Sequence, residues 1–300
     1  MVRDFDSLFG LFEAFSNEQA CLDHLRAIRW RDGEFCPHCG DNRVYHFSDR
    51  KTFKCGACRQ RFSIKVGTIF EDTKLPLRKW FAAIWMITNH PKGIASTTLA
   101  KDLKITQKTA WFVLHRLRHA ARTNSFNAPL KGTVEADTTF VGGKDHNRHA
   151  KDRTKGYGGK GKEVVLGIVE RDGELRAEHI ADNNSPTIRK GIRDNVEPGA
   201  KIMSDGDASF RMPEYENEHV EHGKGEYVRG DVHTQRIDSV WALLKRQIVG
   251  IHHWVSPKHL QKYVDEMSWR FNRRDLDPSP RMNDIFSCLE GRLPYRELIA

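Results

Sequence analysis

Apolar and polar positions recur along this chain with two periods, and each period predicts an element. From Gly132 to Gly143, GTVEADTTFVGG, the alternation is strict: Val134, Ala136, Thr138 and Phe140 point one way, and Thr133, Glu135, Asp137 and Thr139 the other. That is a strand with one apolar and one polar face, ended by Gly142 and Gly143, and its polar face reads as the solvated side of an edge strand. Glu163–Glu170 and Leu175–Ile180 predict a hairpin around Asp172-Gly173, and Lys201–Ser204 a short strand running into Asp205-Gly206. Ser185-Pro186 opens a helix to Val196. Ile237, Val240, Trp241, Leu244 and Ile248 share one helical face, with Asp238 and Lys245 on its border. After Ser256-Pro257, a further helix turns Leu260, Val264, Met267 and Phe271 inward, leaves Glu266 off that stripe, and exits through Arg270, Arg273 and Arg274. Strand, hairpin, helix, strand, then helices make an α/β fold, a mixed sheet with flanking helices, over residues 131–275.

The front of the chain has a different rhythm. Leu11, Phe12, Phe15, Leu22, Leu25 and Ile28 predict two short helices in residues 1–30, broken at Ser16-Asn17-Glu18. Beyond Pro76, Trp80, Phe81, Ala83, Ile84, Trp85 and Ile87 make a buried helix that Gly93 breaks. Thr97–Leu103, a turn at Lys104-Ile105, and a longer helix capped by Thr106 follow the order of a helix-turn-helix within residues 74–123. Gln107 and Lys108 would begin its second helix, the positions that reach base edges in a major groove, although an ordinary helical hairpin fits the pattern as well. Residues 276–300 read as a C-terminal tail.

Charge sharpens this division. The chain carries a net +9, and residues 1–130 hold 21 Lys+Arg against 12 Asp+Glu, while residues 131–300 hold 28 of each. All of the excess therefore lies in the first part, as a polyphosphate partner such as double-stranded DNA requires. Lys144 to Lys162 adds seven Lys+Arg, two acids and four Gly, a mobile basic loop able to clamp a backbone phosphate beside an acidic site. Asp207–Glu226, with six acids to two bases, reads as solvated surface. There is no secretory start and no apolar run of membrane length, which predicts a soluble intracellular protein.

Four of the six cysteines are Cys36, Cys39, Cys55 and Cys58, two C-x2-C knuckles separated by fifteen residues. In an intracellular chain this spacing predicts a structural Zn²⁺ in a ribbon over residues 31–70, with four thiolates closing a tetrahedron and leaving His38 out of the shell. Val44–Lys54 would form its hairpin and Gln60–Val66 a third strand, while Cys21 and Cys288 read as buried, inert thiols.

Three carboxylates then arrive on separate elements: Asp137 mid-strand, Asp205 at a strand end and Asp238 on a later helix. Hard oxygen donors in such a gathering suit Mg²⁺ or Mn²⁺, and two such ions about 3.5–4 Å apart serve phosphoryl transfer on nucleic acid. Glu135 and Glu266 stand in reserve as ligands.

On these stretches the chain resembles the DDE-type transposases of bacterial insertion sequences, in particular the zinc-ribbon, ISXO2-like group (the IS1595 family). The matching runs are RWRDGEFCPHCG, KCGACRQRFS, GTVEADTTFVGGK, SDGDASF and HTQRIDSVWALLKRQIVGIHHWVSPKHLQKYVDEMSWRFNRR. The resemblance implies a ribonuclease-H-like catalytic fold, cleavage and joining of DNA at an element's ends, a bacterial nucleoid-associated location, and a homodimer or higher assembly on DNA. Asp137 and Asp205 fall on the family's first two acids. At the third, the family usually shows Asn three residues before Glu, whereas this chain has Gln235 and Asp238, one methylene shorter. Lys245 falls on the family's lysine, and with Arg246 beside it would contact DNA. The alternative is a DNA-binding regulator or an inactive transposase remnant.

Overall fold

The alternating stretch around Asp137 lies at the centre of a five-stranded sheet, with both of its faces covered. The computed structural model describes residues 3–122, 128–143 and 161–299. The expected basic loop therefore lies outside the described residues up to position 160, as does the first half of the expected linker at Asn124–Lys131. By its internal contacts the chain divides into two compact units, residues 1–123 with 275–300, and residues 124–274.

The first unit begins with α1 (Leu8–Ala14) and α2 (Glu18–Arg29), separated by Asn17, whose side chain accepts the Ala20 N–H as a cap. Three short antiparallel strands follow, β1 (Val44–His46), β2 (Thr52–Cys55) and β3 (Arg61–Ser63). Next come α3 (Leu77–Asn89), α4 (Ser96–Leu103) and α5 (Gln107–Arg122). Lys104 turns the chain between the last two in a left-handed conformation (φ 47°), and the Thr106 hydroxyl accepts the Thr109 N–H to start α5.

The second unit holds β4 (Thr133–Val141), β5 (Glu163–Glu170), β6 (Leu175–Ile180), α6 (Ser185–Asn195), β7 (Lys201–Ser204), β8 (Glu216–His219), the two-residue strands β9 (Val228–Arg229) and β10 (Val232–His233), α7 (Gln235–Lys245), and α8 (Pro257–Asn272). The sheet order is β6-β5-β4-β7-β8; the first three strands are antiparallel, and β7 and β8 run parallel to β4. One face packs Val134, Ala136, Leu166, Ile168 and Ile202 against Ile188 and Ile192 of α6. The other packs Val165, Val169 and Ala177 against Ile237, Val240, Trp241 and Leu244 of α7 and Leu260, Val264 and Met267 of α8. Pairing with β5 on one side and β7 on the other makes β4 central rather than an edge strand, and its polar positions look onto α7 and the groove beside it.

Two further features depart from the sequence reading. β8, ENEH, lies inside the stretch expected to be plain acidic surface, yet it forms the parallel edge of the sheet. Its recruitment rests on main-chain pairing and on Lys201 Nζ, which bridges Glu216 (3.2 Å) and Glu218 (3.8 Å). Such an all-polar edge blunts sheet-to-sheet association. Residues 275–299 are not a loose tail: α9 (Pro278–Ser287) packs on α2 and α3, residues 289–291 pair with 67–69, and α10 (Tyr295–Ile299) follows.

One contact in this unit carries a pH dependence. His24 is buried among the rings of Phe15, Phe81 and Phe286; its Nδ1 accepts the Arg3 N–H, so Nε2–H donates to Asn283 Oδ1 at 3.0 Å. Burial pushes its pKa down to about 4. The unfolded chain then takes up a proton below pH 6.5 that the folded chain refuses, so stability is lost as pH falls through 6.5 toward 4, by about 3 kcal/mol at most. Thermal melts at pH 7 and pH 5 should show the first unit losing about 2 kcal/mol, and His24→Leu should flatten that slope. No helix among the described residues is long and apolar enough to cross a membrane.

Candidate functional site

Asp137 sits between two neighbours set by strand register. Its cross-strand partner on β5 is Gly167. On the other side, the β4–β7 pairing that matches Glu135 with Met203 brings Asp205, two residues further along, level with Asp137. Adjacent strands lie about 4.8 Å apart, so this register sets Asp205, just past the end of β7, beside Asp137, whose side chain turns toward α7. Asp238 comes from the first turn of α7, where Thr234 Oγ1 donates to its Oδ2 at 3.3 Å.

Proximity leaves an electrostatic mark. Burial first, then the charge of Asp205 and, less strongly, that of Asp238 push Asp137 up to about 6, against hydrogen bonds from Trp241 and the Thr138 backbone that lower it. The Trp241 indole Nε1–H donates to Asp137 Oδ2 at 2.8 Å. An open groove of about 600 Å³ is lined by Asp137, Thr138, Thr139, Lys162, Asp238 and Lys245. The sequence-predicted Lys245 thus shares a groove with two of the acids, and Arg246 is exposed where the helix continues as a π-helical turn over Arg246–His252. Among the described residues only the four cysteines bring three or more ligand atoms within 4.8 Å of one another; the three aspartates stand further apart, as like charges do.

The reserve carboxylates have other employment. Glu135 is fully buried, and its Oε2 accepts the backbone N–H groups of Arg236 (2.8 Å) and Ile237 (3.1 Å) at the start of α7. Glu266 is buried against Arg270, whose Nη2 also donates to Gln247 Oε1 at 3.0 Å. Neither points into the groove, because a buried carboxylate is stable only where partners satisfy it. Arg270 accordingly belongs to the interior rather than to a basic exit from α8.

In the ribbon, Cys36 and Cys58 place their sulfurs 3.7 Å apart and Cys39 and Cys55 3.6 Å apart. A tetrahedron with metal–sulfur bonds of about 2.3 Å has edges of about 3.8 Å, so the four sulfurs fit Zn²⁺. Backbone N–H groups of His38, Ala57 and Cys58 turn toward these sulfurs at 3.3–3.4 Å, as thiolates favour. His38 is exposed and outside the cluster. Cys21 and Cys288 are buried. At the start of α5 both Gln107 and Lys108 are exposed; Gln107 Nε2 donates to Ser96 Oγ at 2.9 Å and Lys108 Nζ lies over the Tyr295 ring at 4.9 Å.

Comparison with known proteins accounts for this pairing of ribbon and acidic sheet. Residues 129–272 match the ISXO2-like transposase domain, and residues 16–61 match the transposase zinc-ribbon domain that accompanies it. Two domains of this chain thus match models of the IS1595 transposase family. An uncharacterized protein in the transposable element ISH50 of Halobacterium salinarum is 28% identical over 301 residues, covering 94% of this chain and 99% of that relative. No solved structure matches the chain.

Within the transposase domain, the sequence pointed to the three aspartates and Lys245, and to Lys162 only as the end of a basic loop, but did not single out Trp241 or Gly167. Trp241 reads as one more apolar residue of a core stripe, and only its indole N–H, aimed at Asp137, marks it as different.

Proposed function

We propose that this chain binds the ends of an insertion sequence and carries out divalent-cation-dependent DNA strand cleavage and strand transfer. The observation that supports the reading is that Asp205, past the end of β7, and Asp238, on α7, lie close enough to Asp137 on β4 for their charges to raise its pKa, with Asp137 and Asp238 lining one groove. Three hard-oxygen donors fit Mg²⁺ or Mn²⁺, and the upward push on Asp137 is the signature of a group whose charge a cation would stabilise. Bound there, such ions would supply Lewis-acid stabilisation of the attacking and leaving oxygens.

The chain's own residues do the rest. Lys245 and Lys162 line the groove and offer cationic contacts to the phosphates of a strand lying in it. Water attacks the phosphodiester at the element end and the P–O bond breaks, leaving a 3′-hydroxyl; that hydroxyl then attacks a target phosphate, displacing its own leaving oxygen. Each step exchanges one P–O bond for another, so neither a covalent protein intermediate nor an external energy source is needed. The α4–turn–α5 pair, with Gln107 and Lys108 at its exposed start, is the proposed duplex-binding element, working in a protein that assembles as a dimer or larger on DNA.

The test is a nicking and joining assay on DNA carrying the element's ends, with Mg²⁺ or Mn²⁺. The expected result is 3′-hydroxyl ends and joined products from the unmodified chain. Asp137→Ala should lose cleavage by about a thousandfold or more, with end binding intact. Cleavage that survives this change removes Asp137 from the role. Binding without cleavage in either cation favours the regulator reading, to which the shorter Asp238 lends support.

A further inference from the structure

We propose that β4 and α7 hold each other in a reciprocal clamp, and that within it Trp241 is a positioning residue that orients the Asp137 carboxylate for a divalent cation. This rests on the reading of the aspartates as cation ligands. Two pins join the strand to the helix, and they run in opposite directions. The strand's Glu135 accepts the helix's Arg236 and Ile237 N–H groups, and the helix's Trp241 donates to the strand's Asp137.

The spacing of the pins matches. Glu135 and Asp137 lie roughly 7 Å apart along the strand. Ile237 and Trp241 lie about 6 Å apart along the helix. A helix pinned twice at the same interval can neither slide along the strand nor roll about its own axis, and Asp238 lies between the pins. The first pin is the firmer for being buried. Glu135 is fully enclosed, sits at the positive end of the helix, and has His233 Nδ1 at 3.2 Å and Arg171 Nε at 3.5 Å around its second oxygen.

The second pin needs a missing side chain. A Cβ on Gly167, the cross-strand partner of Asp137, would lie 2.6 Å from Trp241 Cζ2 and 2.8 Å from Ile237 Cδ1. Glycine there leaves room for the indole against the sheet, where it reaches the carboxylate. An indole N–H is a neutral donor that does not deprotonate, so it fixes Asp137 through one oxygen without bringing a positive charge that would compete with a metal ion. Held in this way, Asp137 still lines the groove beside Asp238.

The experiment uses the full-length chain with Trp241→Phe, which keeps an aromatic ring in the seat and removes only the donor. Mn²⁺ affinity measured by calorimetry is expected to weaken about 10- to 100-fold, with the metal-free melting temperature unchanged. Cleavage should return toward the unmodified rate as Mn²⁺ is raised, a rescue that general structural damage would not show. Gly167→Ala, whose Cβ would press on the Trp241 ring from the neighbouring strand, should weaken Mn²⁺ binding likewise and serves if Trp241→Phe melts early. Unmodified Mn²⁺ affinity in these variants, with binding lost in Asp137→Asn, overturns the clamp alone. Absence of Mn²⁺ binding in the unmodified chain overturns the ligand reading, and the clamp with it.

Discussion

Stripping zinc with a chelator is expected to unfold the segment from Cys36 to Ser63 while the five-stranded sheet stays folded. The strands of the ribbon are three, four and three residues long, and their core is little more than Trp30, Phe53 and Phe62, with Trp30 and Phe53 ring centres 4.8 Å apart. So small a core cannot offset the conformational entropy of ordering the segment. Four thiolates around one ion can: apparent binding energies of structural zinc in comparable small domains are about 10–16 kcal/mol, and where no site exists in the unfolded chain that energy is folding energy. The measurement is one zinc per chain released to a colorimetric chelator, with proteolysis opening within residues 36–63 as zinc leaves. Cys39→Ser should reproduce the effect without a chelator. A ribbon that resists proteolysis after complete zinc loss would show that the aromatic packing suffices.

Asp137→Asn is expected to stabilise the metal-free protein at neutral pH while abolishing its chemistry. Burial and the neighbouring charge of Asp205 raise Asp137 to about 6 from 3.8, so between those values the folded state binds a proton that the unfolded state does not. The associated stability is present in full below pH 3.8 and is lost as pH rises through 6. Above pH 7 the ionised carboxylate therefore costs about 2–3 kcal/mol, which a neutral amide avoids. Metal-free melts at pH 8 should place Asp137→Asn above the unmodified chain by that amount, with the gap closing toward pH 4. Saturating Mn²⁺ should close it at pH 8 too, by stabilising only the carboxylate form. The trend opposes that of His24, so acidification should weaken the first unit while strengthening the second. A site that is strained when empty is what a cation-binding centre requires, since the repulsion that destabilises the fold is relieved by the ion.

Much of this was legible in the linear chain. The spacing of Cys36, Cys39, Cys55 and Cys58 sufficed for the zinc cluster, because two tight knuckles depend only on neighbouring residues. The apolar periods located the helices, and the alternation of side-chain type located β4, although its polar face meets α7 rather than water alone. The sequence by itself supplied the candidates for chemistry: three aspartates on three elements, and a lysine two turns beyond the last. Only the tertiary structure decided which carboxylates face the groove and which hold the frame. Glu135 and Asp137 share a face and a charge, yet one meets the first turn of α7 and the other the open groove, a difference created by where a helix a hundred residues later begins. β8 was likewise invisible, since an edge strand joined through its main chain need not show in its side chains. Local pattern carries local geometry; long-range pairing gives the same residue type opposite tasks, because burial and partners, not identity, set what a carboxylate does.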